Sequence, residues 1–123
     1  MVNEKWIRAT LWISVPFNFA AAWALLVPGS WLGGLIGLPV DVPLIYAALL
    51  SFMIFGFGCV YAWLALRSDI DKSVLAIGAI GKAGVFVVCF SLWFLGEVAG
   101  TGVLVASGDL TFAAIWGLWL IRS

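Results

Sequence analysis

A chain of 123 residues with six basic and six acidic side chains carries no net charge, which excludes the strong field that draws a protein to nucleic acid or to an anionic surface. Its 65% hydrophobic and 10% charged content excludes an ordinary soluble domain, where about a quarter of residues are charged and a small core cannot hide so much apolar surface. Histidine is absent, which removes the commonest metal ligand, the commonest general base and histidine ligation of haem, so no metal, cofactor or nucleic acid is expected.

The first predicted helix runs from Trp6 to Val27. Lys5 and Arg8 precede an apolar run, and Phe19-Ala20-Ala21-Ala22 follows within it, which resembles a signal peptide. The run from Ala9 to Val27 exceeds the usual apolar region of about 7–15 residues, so it reads as a retained helix. Pro28-Gly29-Ser30 stops it. The next stretch, Trp31 to Leu38, is too apolar for a solvated loop and too short to span. It reads as a short interfacial or partly re-entrant helical turn that either lies on the headgroups or caps a cavity. Pro39 and Pro43 bracket the start of the second helix, Pro43 to Leu66, and Arg67-Ser68-Asp69-Ile70-Asp71-Lys72 forms a polar turn. The third helix covers Ser73 to Leu95, and Gly96-Glu97 separates it from the fourth, Gly100 to Ile121. Each is close to the roughly 20 residues needed to cross about 30 Å of hydrocarbon. The expected fold class is all-α: a polytopic four-helix transmembrane bundle, a single domain over 1–123, with a short interfacial helical turn after helix one.

Orientation follows from the basic residues. Lys5, Arg8, Arg67, Lys72 and Arg122 fall on one side of a four-pass threading, whereas the opposite loops carry Asp41 and Glu97 and no Lys or Arg. Positive residues favour the cytoplasmic side, so both termini and the 67–72 loop are expected there, in a cytoplasmic (inner) membrane. Trp6, Trp12, Trp63, Trp116 and Trp119 then lie toward the inner boundary, and Trp23, Trp31 and Trp93 toward the outer. Tryptophan belts of this kind anchor helices at the interfaces; Trp6, Trp31, Trp63, Trp93 and Trp119 are the expected anchors. Cys59 and Cys89 stand alone in apolar runs and read as small hydrophobes.

Two ionisable residues, Lys82 and Asp109, lie inside apolar segments, where a charge is costly and points to function or to a partner. At 1.5 Å of rise per residue, Lys82 lies about 14 Å deep and Asp109 about 18 Å deep from the same side. Consecutive antiparallel helices put the two within reach, so they are expected to form a buried pair. Asn18, about 20 Å deep, follows Pro16, whose ring denies helix one a hydrogen bond and exposes the Trp12 carbonyl. Asn18 either joins the pair or satisfies that carbonyl. Ser107 and Thr111, with Ser14 and Ser51, add hydroxyls to a possible mid-membrane pocket.

The helix faces agree with such a pocket. Leu75, Gly78, Lys82, Cys89 and Trp93 share one stripe of helix three, and Gly102, Val105, Asp109, Ala113 and Trp116 one stripe of helix four. Gly102-x-x-x-Ala106, Ala113-x-x-x-Gly117 and the glycines at 78, 81 and 84 permit the close helix approach that lipid favours. No metal-ligand spacing and no nucleophile with a base accompany the pair. Gly78-x-x-Gly81-Lys82 lacks the preceding strand of a phosphate-binding loop.

The layout resembles the DoxX-like group of small bacterial four-helix membrane proteins. The resemblance rests on Leu35-Ile36-Gly37-Leu38-Pro39, Gly81-Lys82-Ala83-Gly84 and Ser107-Gly108-Asp109-Leu110, and covers nearly the whole chain. The arginine and glycine pattern that opens helix one in DoxX proper is absent. The resemblance implies a small membrane subunit accompanying a quinone-linked oxidoreductase, with Lys82 and Asp109 as polar positions.

Four functional classes are weighed. The leading one is a non-catalytic accessory or scaffolding subunit of a larger membrane complex, or a homo-oligomer packed through glycine-rich faces. A minimal transporter or channel for a proton, ion or small polar solute would use Lys82 and Asp109, and binding of a lipid or quinone headgroup is the further alternative. An enzyme ranks last because acid–base groups are so few.

Overall fold

A computed structural model describes residues 3–123; the first two residues of the expected domain lie outside it. Five helices follow in order: α1 Glu4–Leu26, α2 Trp31–Ile36, α3 Leu44–Leu66, α4 Lys72–Phe94 and α5 Gly100–Arg122. Among the described residues there is no strand. Four of the helices are long and apolar enough to cross a membrane, and their ends fall within two residues of the expected positions. The fold is the expected four-helix bundle with a short helical turn after the first span.

Local signals explain the ends. Asn3 caps α1 by accepting from the Trp6 amide at 3.2 Å, and Asp71 caps α4 by accepting from the Val74 amide at 3.2 Å. Each supplies a partner to an amide that the first helical turn leaves unbonded. Helix α1 continues through Pro16. Ser30 caps α2, and Gly37 ends it in the left-handed conformation at φ 80°, which a residue without Cβ adopts readily. The Gly37 and Leu38 amides both return to the Gly33 carbonyl at 3.0 Å, which closes the turn.

The bundle is two pairs. Helix α1 lies along α3 and α4 along α5, with sparser packing between the pairs. At the end carrying Arg8, Arg67, Lys72 and Arg122, here called the basic end, the pairs close on a common core. Ile7, Leu11, Tyr61, Leu64, Ile70, Leu75 and Trp116 meet there. The Arg8 side chain fastens this end, donating to the carbonyls of Ala65 at 2.9 Å, of Ser68 at 2.6 Å and of Arg67.

The far end is more open. Its buried residues are small or polar: Ala22, Ala24, Gly33, Ala47, Ser51, Gly102 and Ala106. From Ala83 to Phe94, α4 has no buried residue. Two expectations are corrected here. Cys89 and Trp93 continue the Lys82 stripe by spacing but are not buried, because the α1–α3 pair leaves this half of α4 uncovered. Gly81, Gly84 and Gly117 do not seat a neighbouring helix, since a Cβ on any of them would meet nothing within 4 Å. The outer turn also packs against α5. Thr101 donates to the Ile36 carbonyl at 3.3 Å, a Cβ at Gly102 would approach that oxygen at 3.2 Å, and Trp31 projects outward at 80% exposure.

Candidate functional site

The polar residues inside the bundle converge at mid-length. Lys82 Nζ donates to Asp109 Oδ1 at 2.8 Å and to Asn18 Oδ1 at 3.0 Å. Asn18 Nδ2 in turn donates to the Ile54 carbonyl at 3.0 Å, so four helices share one network: α1 through Asn18, α3 through its backbone, α4 through Lys82 and α5 through Asp109. Asn18 thus serves the ion pair and the neighbouring helix rather than the carbonyl freed by Pro16. Lys82 is only 3% exposed. A buried ammonium needs compensating partners, and this one has a carboxylate and an amide oxygen.

It also has rings. Lys82 Nζ lies 5.1 Å from the ring centres of Tyr61 and Phe112, 5.2 Å from Phe17 and 5.9 Å from Trp116. Each distance is within the roughly 6 Å over which a cation is attracted to a π face. The rings brace one another: Tyr61 to Trp116 at 5.1 Å, Phe112 to Trp116 at 5.7 Å, and Phe17 edge-on to Phe112 at 5.8 Å. Trp116 is fully buried and donates through Nε1 to Thr10 Oγ1 at 2.8 Å. It therefore belongs to the core rather than to the inner-boundary belt where its sequence position put it, because the pairs close over it.

Beside this cluster a cavity of about 230 Å³ opens between the helix pairs. Its walls include Phe17, Ala21, Met53, Phe57 and Val85, while Asn18, Tyr61, Lys82 and Asp109 supply its polar part. Gly81 lines it too, which gives that glycine a place on the cavity instead of in a helix contact. The site is an apolar chamber with one small polar region.

Ser107 and Thr111 do not join it. Both are exposed and bond back to their own helix, Ser107 to the Leu104 carbonyl at 2.5 Å and Thr111 to the Ser107 carbonyl at 2.9 Å. They sit on the side of α5 turned away from Asp109, and a local carbonyl satisfies each hydroxyl. Ser14 and Ser51 are buried but bond to the Leu11 and Ala22 carbonyls, each at 2.7 Å. Among the tryptophans expected as anchors, Trp6, Trp31, Trp63 and Trp93 are exposed. Trp119 is half-buried, with Lys72 Nζ 5.7 Å from its ring, and Arg67 covers Trp63 at 4.7 Å.

The aromatic cage is not legible as a unit in the sequence. Phe17, Tyr61, Phe112 and Trp116 come from three helices, and aromatic residues are too common in an apolar chain for their spacing to mark a cage. The one usable signal is that Phe112 and Trp116 stand three and seven residues after Asp109, on its face of α5. No protein-family model, no curated protein and no solved structure matches this chain.

Proposed function

We propose that this is a non-catalytic membrane protein that receives a lipid-soluble molecule in the cavity between its helix pairs. The supporting observation is the cavity itself, whose apolar walls lead to a single polar cluster of Asn18, Tyr61, Lys82 and Asp109. Apolar pockets with a few convergent polar groups are the usual form of small-molecule sites. At about 230 Å³ it is smaller than the roughly 300–1,000 Å³ of drug-sized sites. It fits the polar end and first carbons of a long molecule whose tail stays in lipid. Protein extracted in mild detergent is expected to carry a small-molecule adduct in native mass spectrometry. Filling the chamber with Ala21→Trp or Val85→Trp is expected to remove the adduct while the protein stays folded. A wild-type protein that carries no adduct, and takes none up from a lipid extract, defeats the reading.

The second reading is the accessory or scaffolding subunit of a larger membrane complex, with a quinone as the molecule in the cavity; the DoxX-like layout favours it. Such a subunit co-purifies with larger partners from native membrane, whereas a homo-oligomer yields copies of this chain alone. Transport ranks lower because Lys82 is held by two hydrogen bonds and four rings, a poor arrangement for a group that must release its partner in each cycle. Activity of the purified protein in liposomes would reverse that ranking.

The orientation belongs to the same proposal: a cytoplasmic membrane, with both termini and the 67–72 loop in the cytoplasm. The distribution of charge supports it, since every Lys and Arg except Lys82 lies at the basic end. After replacement of Cys59 and Cys89, a cysteine at Ser68 is expected to label from the cytoplasmic side and one at Ser30 from the outside. Labelling of both from one side rules the threading out.

A further inference from the structure

We propose that the cavity selects molecules whose polar end is an uncharged oxygen, a hydroxyl or a carbonyl, and that the Tyr61 hydroxyl is the hydrogen-bond partner that recognises it. The inference rests on the reading of the cavity as a ligand site, and three observations carry it further.

The first is charge. Lys82 and Asp109 stand 2.8 Å apart and neutralise one another. A charged guest would introduce a third, uncompensated charge into a chamber of low dielectric, where an unpaired ion is strongly disfavoured. An anion would also face the π clouds of the cage, and a cation would compete with an ammonium already seated over four rings. An uncharged group avoids all three penalties.

The second is Tyr61. The residue is 2% exposed and lines the cavity, yet its hydroxyl bonds to no group among the described residues. No polar side-chain atom among those residues is both sealed from access and without a partner, so this hydroxyl is not sealed off. A buried phenol ordinarily finds a partner. A ligand oxygen arriving from the chamber supplies the missing one.

The third is that the packing holds Tyr61 in place without that bond. Its ring rests on Trp116 at 5.1 Å, and a Cβ at Gly78 would lie 2.9 Å from its Cε1 and 3.5 Å from its hydroxyl. The ring is positioned by shape, which leaves the hydroxyl free for recognition. Asp109, whose Oδ2 accepts nothing from the described residues, also lines the cavity and offers an acceptor to an alcohol.

The test compares chain-matched probes on the full-length protein in detergent: hexadecanol, a methyl ketone of similar length, hexadecanesulfonate and hexadecylamine. Binding is measured by competition in native mass spectrometry at neutral pH. Wild type is expected to prefer the alcohol and the ketone by at least about tenfold over either charged probe. Tyr61→Phe removes one hydrogen bond without altering shape, so it is expected to weaken the two neutral probes about three- to tenfold. It should leave the charged probes and the thermal stability unchanged, and a purely structural role for the hydroxyl would not produce that split. Equal binding of all four probes, tighter binding of a charged probe, or unchanged neutral affinity in Tyr61→Phe overturns the inference while leaving the cavity a ligand site. Failure of every probe, together with the absence of any native adduct, overturns the ligand site itself.

Discussion

The two ends of the bundle are built from the same helices and pack differently. At the basic end Ile7, Leu11, Leu64, Leu75 and Trp116 are fully buried; at the far end the buried hydrophobic residues are alanines. The polar cluster of Asn18, Lys82 and Asp109 stands at the boundary, where the closed half gives way to the open one. Between the far halves α1 and α3 remain joined, by the Ser51 hydroxyl on the Ala22 carbonyl at 2.7 Å and by Phe19 stacked on Phe55 at 4.8 Å. Helix α4 has no such tie to α3. In lipid an uncovered apolar face costs little, because acyl chains are as apolar as the side chains they replace. A membrane bundle can therefore leave one half open to lipid and hold its shape from the other.

The largest expected effect separates the halves directly. Trp116→Ala empties the centre of the closed half and is expected to cost about 3–5 kcal/mol, whereas Val88→Ala on the open half of α4 should stay within about 0.5 kcal/mol. Unfolding titrations in mixed micelles measure both. Comparable losses would show that the far half is as tightly packed as the basic end.

The boundary comes next. Breaking a buried ion pair by removing one partner costs about 3–5 kcal/mol in proteins, and water entering from the cavity should reduce that figure here. Lys82→Met and Asp109→Leu are each expected to destabilise, with the double replacement recovering much of the loss in a double-mutant cycle. Singles as stable as wild type would mean that the charges are hydrated and do not hold the pairs together.

Glycines on the two halves of α4 offer a sharper contrast. Gly78→Ala drives a Cβ to 2.9 Å from the Tyr61 ring, an overpacking expected to cost about 1–3 kcal/mol. Gly84→Ala meets nothing within 4 Å and is expected to be neutral, or stabilising by up to about 1 kcal/mol through helix propensity. The reverse order would place the packed face of α4 on its other side.

The smallest effect is at the rim of the closed half. Arg8→Met withdraws three hydrogen bonds from carbonyls at the end of α3. Because the guanidinium is partly solvated, a loss of about 1 kcal/mol is expected. Faster amide exchange confined to residues 66–71 is the expected signature, and exchange spreading into α4 would show that Arg8 braces the whole end.

The four spans were legible in the chain because their cause is local. About twenty apolar residues between Pro, Gly and charged turns leave the backbone one way to satisfy itself in hydrocarbon, and helices ending near 26, 66, 94 and 122 follow. Lys82 and Asp109 were legible as partners for a similar reason: each is a lone charge in an apolar run, and depth along neighbouring helices can be counted. Three-dimensional arrangement decided the rest. Serine and threonine hydroxyls can be satisfied within their own helix, so the presence of Ser107 and Thr111 near Asp109 in sequence could not say which way they turn. Helix periodicity carried the stripe from Lys82 on to Cys89 and Trp93, but burial depends on whether a neighbour arrives, and α3 does not follow α4 that far. The aromatic cage, the cavity beside it and the unbonded hydroxyl of Tyr61 arise where three or four helices meet. A contact among residues 17, 61, 82 and 112 is a property of how the pairs dock, and no single helix of this sequence carries it alone.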